Sequence, residues 1–377
     1  MAKHMEAVKS TVIVDPASSG TGHFKTIQSA IESVPSGNRN WVCINIKAGV
    51  YREQVNIPFD KPFIYLQGED RLKTTVVWGA SGSIVASATF IAHAENIVAK
   101  SITFMCSFHK EPLRLYNLSP TTDLEQNSFN YPPETQGRNS AKVAPAAMIS
   151  GDKSAFYDCG FVGLQDTLFD DQGRHYFKLC TIQGAVDFIF GAGQSIYEGC
   201  TITSVASKER KGIQGVITAQ GRSNPKDSSG YVFKTAALLV LHRPPWEEHG
   251  ETMQEFSSLS HSCRTPLFLR DGLPGNMLAK RKSLLLQKGK GSFGIIFMLS
   301  DCFRKAIVEL YGLSFEVHNG RVLPTFAEHG CRGPGSDTSK RVKWESQLSP
   351  ATLSSLTSMS FIDSDDWIRH QPFNMLA

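Results

Sequence analysis

The sequence has little cysteine for its length and lacks the long apolar runs of a membrane protein. Eight cysteines among 377 residues are too few for a disulfide scaffold, and none lies in the Cys-x-x-Cys pair typical of zinc sites and thioredoxin-like proteins. The longest apolar runs, Ala236 to Leu241 and Gly294 to Leu299, fall far short of the roughly 18 residues that a membrane span needs. We therefore expect no membrane association and no metal site.

A strong excess of charge is also missing. The 39 Lys and Arg residues nearly balance the 35 Asp and Glu residues, and no basic run is interleaved with aromatic residues, so we expect no nucleic-acid partner. The segment Met1 to Ser10 is polar and charged and lacks the apolar core of a signal peptide. From this segment alone we expect either an intracellular protein or a missing natural N-terminus.

Three common catalytic motifs are absent as well. The sequence contains no Gly-x-Ser-x-Gly elbow, no Gly-x-x-x-x-Gly-Lys phosphate loop and no His-Glu-x-x-His zinc motif. The eleven histidines show no metal-ligand spacing. These absences argue against an α/β-hydrolase, a P-loop nucleotidase and a zinc hydrolase.

The first 235 residues contain many short β-rich runs instead. Amphipathic helical periodicity is convincing only around Phe24 to Val34, and it ends at Pro35. Eight runs are predicted to form strands: Val42 to Ile46, Phe63 to Gln67, Thr89 to Ala92, Ile97 to Phe104, Ala155 to Val162, Tyr176 to Ile182, Ser195 to Ile202 and Gly215 to Ala219.

Some of these runs repeat one pattern at a nearly constant interval. Cys159, Cys180 and Cys200 occupy the same place in three similar segments, separated by 21 and 20 residues. A period near 20 with several short strands per repeat predicts a solenoid, and a parallel β-helix fits it, with one coil per repeat. The cysteines would form an internal ladder, which we interpret as small buried hydrophobic residues rather than as a disulfide.

The repeat pattern stops near Thr235. We interpret residues 235–324 as an aberrant segment, poorly ordered or read in a shifted frame, because this irregular insert is long for a solenoid. It separates a β-helix catalytic region at 11–234 from a C-terminal tail at 325–377. Within the tail, Pro350 to Leu356 is expected to form a small helix.

Two acidic residues are the strongest candidates for chemistry. Asp166 in Gly163-Leu-Gln-Asp-Thr-Leu168 and Asp187 in Gly184-Ala-Val-Asp-Phe-Ile-Phe-Gly191 are 21 residues apart, which is one period of the repeat. On a β-helix they would lie on neighbouring coils and on the same face. Two carboxyl groups that close do not both ionise easily, so one can act as a general acid beside a nucleophile or base. The alternative is that both are turn or cap residues.

Neighbouring side chains extend this candidate site. Gln165 can donate an amide N–H to a developing oxyanion or can form a glutamine ladder inside the solenoid. Phe188 and Phe190 can face a sugar ring or pack in the core. Arg174 and Arg222 can pair with a carboxylate or be solvated.

These motifs resemble those of the plant-type pectinesterases, the pectin methylesterases. The resemblance covers about residues 11–234 and 325–372, and the Gln-Asp-Thr-Leu and Val-Asp-Phe-Ile-Phe-Gly pair at this spacing is highly specific. It is carried by the following segments: Gly49-Val-Tyr-Arg-Glu53, Gly151-Asp-Lys-Ser-Ala-Phe-Tyr157, Gln165-Asp-Thr-Leu168, Val186-Asp-Phe-Ile-Phe-Gly191, Ile217-Thr-Ala-Gln-Gly-Arg222, Phe326-Ala-Glu-His-Gly-Cys-Arg-Gly-Pro-Gly335 and Thr338-Ser-Lys-Arg-Val-Lys-Trp344.

The resemblance implies an all-β, right-handed parallel β-helix that removes methyl esters from polygalacturonate and releases methanol, in cell wall modification and pectin catabolism. It implies Asp187 as the nucleophile, Asp166 as the general acid and then base, and Gln165 as an oxyanion donor. Phe188, Phe190 and Arg222 are the expected substrate-binding residues. It implies no cofactor and no metal, pectin and a proteinaceous inhibitor as partners, and a secreted, cell-wall location.

The sequence departs from the family pattern in two places that bear on activity. Val143 to Met148 stands where the family carries a second glutamine, and the family's Gly-Arg-x-Trp motif is absent, since Arg243 and Trp246 have the wrong spacing. A catalytically impaired pectin-binding protein is therefore the alternative to an active esterase. A structural solenoid that binds a protein partner is a third interpretation.

Overall fold

The computed structural model describes most of the β-helix and parts of the C-terminal third. The described residues are 8–17, 23–106, 143–204, 215–221, 227–240, 284–285, 296–299, 302–303, 326–331 and 346–372.

Almost all described strands belong to three parallel sheets that run along the length of the molecule. Sheet 1 contains, in spatial order, His23–Phe24, Ser10–Val14, Val42–Ile46, Ile64–Gly68, Ile97–Lys100, Ser154–Tyr157, Arg174–Lys178, Gln194–Glu198, Gly230–Lys234, Ile296–Leu299 and Phe326–His329. Sheet 2 contains Gly49–Tyr51, Thr74–Trp78, Thr103–Cys106, Gly160–Val162, Thr181–Gly184, Thr201–Ser204, Ala237–Val240 and Cys302–Phe303. Sheet 3 contains Val55–Ile57, Phe90–Ala92, Ala147–Ile149, Leu168–Asp170, Ile189–Gly191 and Thr218–Gln220. A separate pair joins Gly215–Val216 to Leu284–Leu285.

The chain visits the three sheets in turn, and each visit to all three makes one coil. Ser154–Tyr157 in sheet 1 is followed by Gly160–Val162 in sheet 2 and Leu168–Asp170 in sheet 3, and Arg174–Lys178 then returns to sheet 1 directly beside its starting strand. Because every coil repeats this path, strands pair with the equivalent strands of the coils before and after. The parallel β-helix expected from the repeat is therefore confirmed.

The long strands predicted from the sequence are each divided by a single bent residue. Ser101, Asp158, Leu179 and Gly199 have φ values of 55°, 48°, 56° and 62°, and each lies between a sheet 1 strand and a sheet 2 strand. Left-handed backbone at one residue is enough to turn the chain from one sheet to the next. Four of the predicted strands are therefore wrong in length, and each is two shorter strands in the structure. These four predictions are Ile97 to Phe104, Ala155 to Val162, Tyr176 to Ile182 and Ser195 to Ile202.

The interior is filled by stacked equivalent side chains. Phe156, Phe177, Tyr197 and Phe233 occupy matched positions of successive sheet 1 strands. Their rings stack at centroid separations of 5.2, 4.6 and 4.8 Å. The predicted cysteine ladder lies nearby: Cys159, Cys180 and Cys200 are fully buried free thiols, so they are small hydrophobic residues of the core.

A short helix packs at the N-terminal end of the coils. The helix Ile27–Glu32 begins after Thr26, whose hydroxyl accepts the Ser29 amide, and it buries Ile27, Ala30 and Ile31. Glu53 accepts the backbone amides of Ile27 and Gln28 at 2.8 and 2.9 Å. Solenoid ends need such a cap, since the last coil has no neighbour to bury its core. The glutamate of the Gly-x-Tyr-x-Glu segment therefore stabilises the helix N-terminus.

The C-terminal tail covers the outer face of sheet 1. Its helix Pro350–Thr357 and the 3₁₀ turns Met359–Phe361 and Trp367–His370 follow one another, and the small terminal helix expected there is confirmed. Ile362, Trp367 and Ile368 pack in one cluster with outward-facing apolar residues of sheet 1 such as Val98 and Ile196. The Trp41 indole donates to the His370 carbonyl at 3.0 Å.

Among the described residues, no helix is long and apolar enough to cross a membrane.

The aromatic stack predicts a sharp contrast between two neighbouring substitutions. Phe177→Ala should lower the free energy of unfolding by about 3–5 kcal/mol, because it leaves a cavity between two stacked rings. Leu179→Ala changes a side chain that is 53% exposed and should cost less than about 0.5 kcal/mol. Urea unfolding of both variants measures the difference. Equal effects would show that the stack does not support the core.

Candidate active site

Asp166 and Asp187 lie on neighbouring coils at the corner where the chain passes from sheet 2 to sheet 3. Gln165 and Val186 form a parallel bridge, and the Asp166 amide donates to the Val186 carbonyl at 3.1 Å. The next bond in the same register joins the Leu168 amide to the Phe188 carbonyl at 2.9 Å. The register therefore sets the two aspartates side by side, about one strand spacing of 4.8 Å apart along the axis.

Both aspartates adopt left-handed backbone at this corner. Their φ values are 55° and 47°, a conformation in which Asp is enriched among residues other than glycine. Such strained backbone is often found at functional sites. The matching conformation on two coils shows that the corner is built in the same way twice.

Two glycines allow these corners to pack closely. A Cβ on Gly163 would lie 2.7 Å from the Thr167 hydroxyl oxygen, and one on Gly184 would lie 2.2 Å from Cβ of Phe188. Thr167 is fully buried and its hydroxyl donates to the Gln183 carbonyl at 3.2 Å. The glycine that opens each motif is therefore required by the fold of the corner.

Burial and like charge together hold a proton on Asp166. The residue is only 9% exposed. Burial first, and the neighbouring Asp187 second, raise the pKa of Asp166 to about 7. Asp187 itself is half-buried. The pair thus provides an acid that keeps its proton near neutral pH beside a second carboxyl group, as expected from the 21-residue spacing.

Gln165 directly precedes Asp166 and is half-buried at the same corner. Its backbone belongs to the bridge with Val186. Its backbone therefore lies at the same corner as the two aspartates, and a glutamine amide is the kind of N–H donor that stabilises negative charge on a bound carbonyl oxygen.

The two phenylalanines after Asp187 have different environments. Phe188 is fully buried in the main core cluster. This corrects its assignment as a sugar-binding residue, because a ring with no exposed surface packs in the core. Phe190 is half-buried on the outer face of sheet 3, where it stacks on Phe169 at 4.5 Å with an interplanar angle of 6°. Phe169 is a candidate sugar-binding residue that the sequence analysis missed. Its position one repeat period before Phe190 could have indicated it.

The structure describes only one of the two arginines that the sequence analysis considered as partners of a carboxylate. Arg222 lies outside the described residues. Arg174 pairs with Asp152 at 2.6 Å and with Asp365 of the C-terminal tail at 2.7 Å. It therefore connects the tail to the coils and is a structural residue.

A buried polar network around Asp170, four residues after Asp166 in the sequence, was not predicted. Asp170 and His175 are both fully buried, with 2.5 Å between the carboxylate and ring Nδ1, and ring Nε2 donates to the Gly151 carbonyl at 3.0 Å. Tyr197 donates its hydroxyl to the other Asp170 oxygen at 2.6 Å. A Cβ on Gly193 would lie 2.0 Å from that carboxylate. Asp170 thus links the sheet 3 strand Leu168–Asp170 to two strands of sheet 1, Arg174–Lys178 and Gln194–Glu198, which the sequence alone does not reveal.

Among the described residues, no three His, Cys, Asp or Glu side chains come together as metal ligands would.

Comparison with known proteins gives consistent matches. A model of the pectinesterase family matches residues 11–111 and 134–252, more than half of the chain. Probable pectinesterase 29 of Arabidopsis thaliana is 38% identical over 98% of this chain and 92% of its own length. Probable pectinesterase 55 of the same plant is 37% identical, with 98% and 94% covered.

Solved structures match in fold. The pectin methylesterase from carrot aligns with a TM-score of 0.68 at 21% identity and covers 99% of both chains. A pectin methylesterase from Erwinia chrysanthemi aligns with a TM-score of 0.63 at 22% identity, covering 95% of this chain and 98% of its own. The fold of this chain is therefore that of pectin methylesterases.

The raised pKa of Asp166 predicts a stability effect with a definite sign. Since this pKa lies near 7 in the folded protein and near 3.8 in the unfolded chain, the folded state binds more protons between these values and its stability falls as pH rises. Asp166→Asn removes that loss, so the variant should be more stable than the wild type at pH 8 by about 2–4 kcal/mol. The difference should disappear near pH 4.

Urea unfolding from pH 4 to pH 8 measures this effect. Asp366→Asn is the matched control, because Asp366 is an exposed aspartate of the C-terminal tail with a similar positive φ of 57°, and this variant should follow the wild-type curve. If the free energy of unfolding depended on pH in the same way for the wild type and Asp166→Asn, Asp166 would be ionised like an exposed carboxyl group.

Proposed function

Because the chain belongs to the pectinesterase family, we propose that it is a carboxylic ester hydrolase that removes methyl esters from pectin and releases methanol. One observation carries this proposal: two carboxyl groups stacked on neighbouring coils, of which Asp166 keeps its proton near neutral pH. An ester hydrolase of this kind needs an anionic nucleophile beside a protonated acid, and the pair supplies both.

In the first half of the proposed reaction, the Asp187 carboxylate attacks the carbonyl carbon of the galacturonate methyl ester. The carbonyl oxygen becomes an oxyanion, and the Gln165 amide donates a hydrogen bond to it. As the tetrahedral intermediate collapses, the bond to the methoxy oxygen breaks. Asp166 gives that oxygen its proton, methanol leaves, and the sugar carboxyl group stays joined to Asp187 as an anhydride.

In the second half, Asp166 is a carboxylate and acts as the general base. It takes a proton from a water molecule, whose oxygen attacks the carbonyl carbon of the sugar. The anhydride then breaks, which returns Asp187 as a carboxylate, frees the galacturonic acid group and leaves Asp166 protonated for the next cycle. Every proton that Asp166 gives is therefore recovered.

Pectin is the proposed substrate for a further reason. One matched structure, similar in fold, is described as a pectin methylesterase in complex with a hexasaccharide. The stacked rings of Phe169 and Phe190 lie beside the aspartate pair on the outer face of sheet 3, and aromatic faces suit sugar rings. We extend the proposal to a cell-wall location, where this polymer is found, and to a proteinaceous inhibitor as a partner.

Nothing in the described residues favours the alternative of a catalytically impaired pectin-binding protein. The departure that motivated it concerns Arg243 and Trp246, which lie outside the described residues. The second departure, at Val143 to Met148, lies in and before a well-formed sheet 3 strand. The third interpretation, a solenoid that only binds a protein, gives no reason for a protonated carboxyl group beside Asp187.

Asp187→Asn tests the nucleophile. The variant should lose at least about a thousandfold in kcat for methanol release from esterified pectin, since a neutral amide cannot form the covalent intermediate. Asp366→Asn, an exposed position on the C-terminal tail, is the matched control and should retain activity within about twofold. A fully active Asp187→Asn variant would assign the nucleophile to another residue, and a wild type that binds pectin without releasing methanol would favour the impaired alternative.

The pKa of Asp166 predicts the alkaline side of the pH profile. The first step needs Asp166 protonated, so kcat/KM should fall as pH rises through about 7. Methanol release measured from pH 5 to pH 9 gives the midpoint of this decline. Activity that stays constant up to pH 9 would rule out Asp166 as the proton donor.

A further inference from the structure

A threonine directly after Asp166 links the coil of one aspartate to the coil of the other. Thr167 is fully buried, and its hydroxyl donates to the Gln183 carbonyl at 3.2 Å. Gln183 lies in the sheet 2 strand Thr181–Gly184, which ends three residues before Asp187. The hydrogen bond therefore joins the residue next to the candidate acid to the strand that leads into the candidate nucleophile.

The Gln183 carbonyl holds both ends of the turn that contains Asp166. Besides the Thr167 hydroxyl, it accepts the Gly163 amide at 3.2 Å. Gly163 and Thr167 begin and end this turn, so a single oxygen atom of the next coil binds it at two points. Removal of the hydroxyl leaves the glycine amide in place, and the turn then loses one of these two attachments.

The threonine side chain is also packed between the corners of the two coils. A Cβ added to Gly163 would lie 2.7 Å from the Thr167 hydroxyl oxygen, and one added to Gly184 would lie 2.9 Å from the same atom. These are the glycines that open the two aspartate motifs. A movement of one corner relative to the other would change these contacts, so the spacing of the corners depends on Thr167.

The same kind of link occurs on an earlier coil. Thr89 is fully buried, and its hydroxyl donates to the Met105 carbonyl at 3.0 Å. Thr89 and Thr167 each come directly before a sheet 3 strand, and the registers of that sheet match the two strands. Met105 and Gln183 likewise hold matched positions in sheet 2. A threonine hydroxyl at this corner therefore holds one coil on the next at two places in the β-helix.

The two links differ in the residue that precedes the threonine. It is Asp166 before Thr167 and Ala88 before Thr89. The Thr167 link therefore joins the coils that carry the aspartate pair, whereas the Thr89 link joins two coils that carry neither member of the pair. A comparison of the two threonines separates a general effect on stability from an effect on the pair.

We propose that Thr167 is a positioning residue that sets the separation of Asp166 and Asp187, because it holds the turn of the first on the strand that leads to the second. This inference rests on the proposed function and deepens it, since the reaction needs a proton donor and a nucleophile at a fixed spacing. Without the hydroxyl, the turn opens, the carboxyl groups move apart and water reaches Asp166. Both the loss of burial and the loss of repulsion lower the pKa of Asp166 toward its ordinary value.

A direct titration of Asp166 tests this role without any turnover. Isotope labelling of the aspartate carboxyl carbons allows the titration to be followed by NMR, and Asp166→Asn assigns the signal. The wild-type midpoint should lie near 7. Thr167→Val keeps a branched side chain without the hydroxyl and should lower the midpoint by at least about half a pH unit. Thr167→Ser keeps the hydroxyl and should titrate like the wild type. Thr167→Ala replaces the valine variant if that variant does not fold.

Methanol release measures the consequence for the reaction. Thr167→Val should reduce kcat about threefold to tenfold at pH 5 and change KM by less than about twofold, since the proton donor is displaced while the sugar contacts remain. The alkaline decline of kcat/KM should move to lower pH by the same shift as the NMR midpoint. Thr167→Ser should behave like the wild type.

Thr89→Val is the matched control, because it removes the equivalent hydroxyl from a coil without the pair. It should lower the urea midpoint of unfolding about as much as Thr167→Val does, and leave kcat and the Asp166 titration unchanged. An unchanged Asp166 midpoint in a folded Thr167→Val variant would overturn the proposal, as would an equal shift in Thr89→Val. A wild type that releases no methanol would instead refute the proposed reaction, and the NMR titration would still decide the role of Thr167.

Discussion

The register of parallel backbone hydrogen bonds between coils is the constraint on which the rest of the structure depends. Each coil repeats the path of the one before, so residues one period apart become neighbours in space. The core stack of Phe156, Phe177 and Tyr197 and the corner pair of Asp166 and Asp187 arise from the same register. The core stack and the aspartate pair therefore depend on the same register. A residue inserted into one of these coils would displace both the stack and the pair.

The outer faces of the sheets show how one architecture provides both a covered and an open surface. Sheet 1 carries outward apolar residues that are buried because the C-terminal tail packs on them, and Arg174 fastens that tail through Asp365. Sheet 3 carries Phe169 and Phe190 half-buried beside the aspartates. The tail thus makes one face part of the core, whereas Phe169 and Phe190 on sheet 3 keep part of their surface exposed.

The sequence was most informative within the repeats, because residues one repeat period apart are neighbours in space. The 21-residue spacing predicted that Asp166 and Asp187 are neighbours, and the cysteine period predicted the coil. It was least informative at the bends, since Ser101 and Leu179 adopt left-handed backbone although neither residue type is enriched in it. It also misassigned Phe188, because simple alternation puts Phe188 and Phe190 on the same face of a strand. In the structure the strand begins only at Ile189, after the left-handed bend at Asp187, and Phe188 lies before it with its ring in the core. The Asp170–His175 contact was missed because it depends on side chains within one coil of an unknown shape.

Two of the three turns in each coil differ in how much their length varies. Between sheets 1 and 2 the described connections have two residues, except for the five between Gly68 and Thr74. Between sheets 2 and 3 the connections range from three residues, between Tyr51 and Val55, to forty, between Cys106 and Ala147. Loop length at this second corner is therefore free to change during evolution without disturbing the coils. Diversification among relatives is expected to concentrate in these connections, which also carry Asp166 and Asp187, while the strands of the scaffold keep their length.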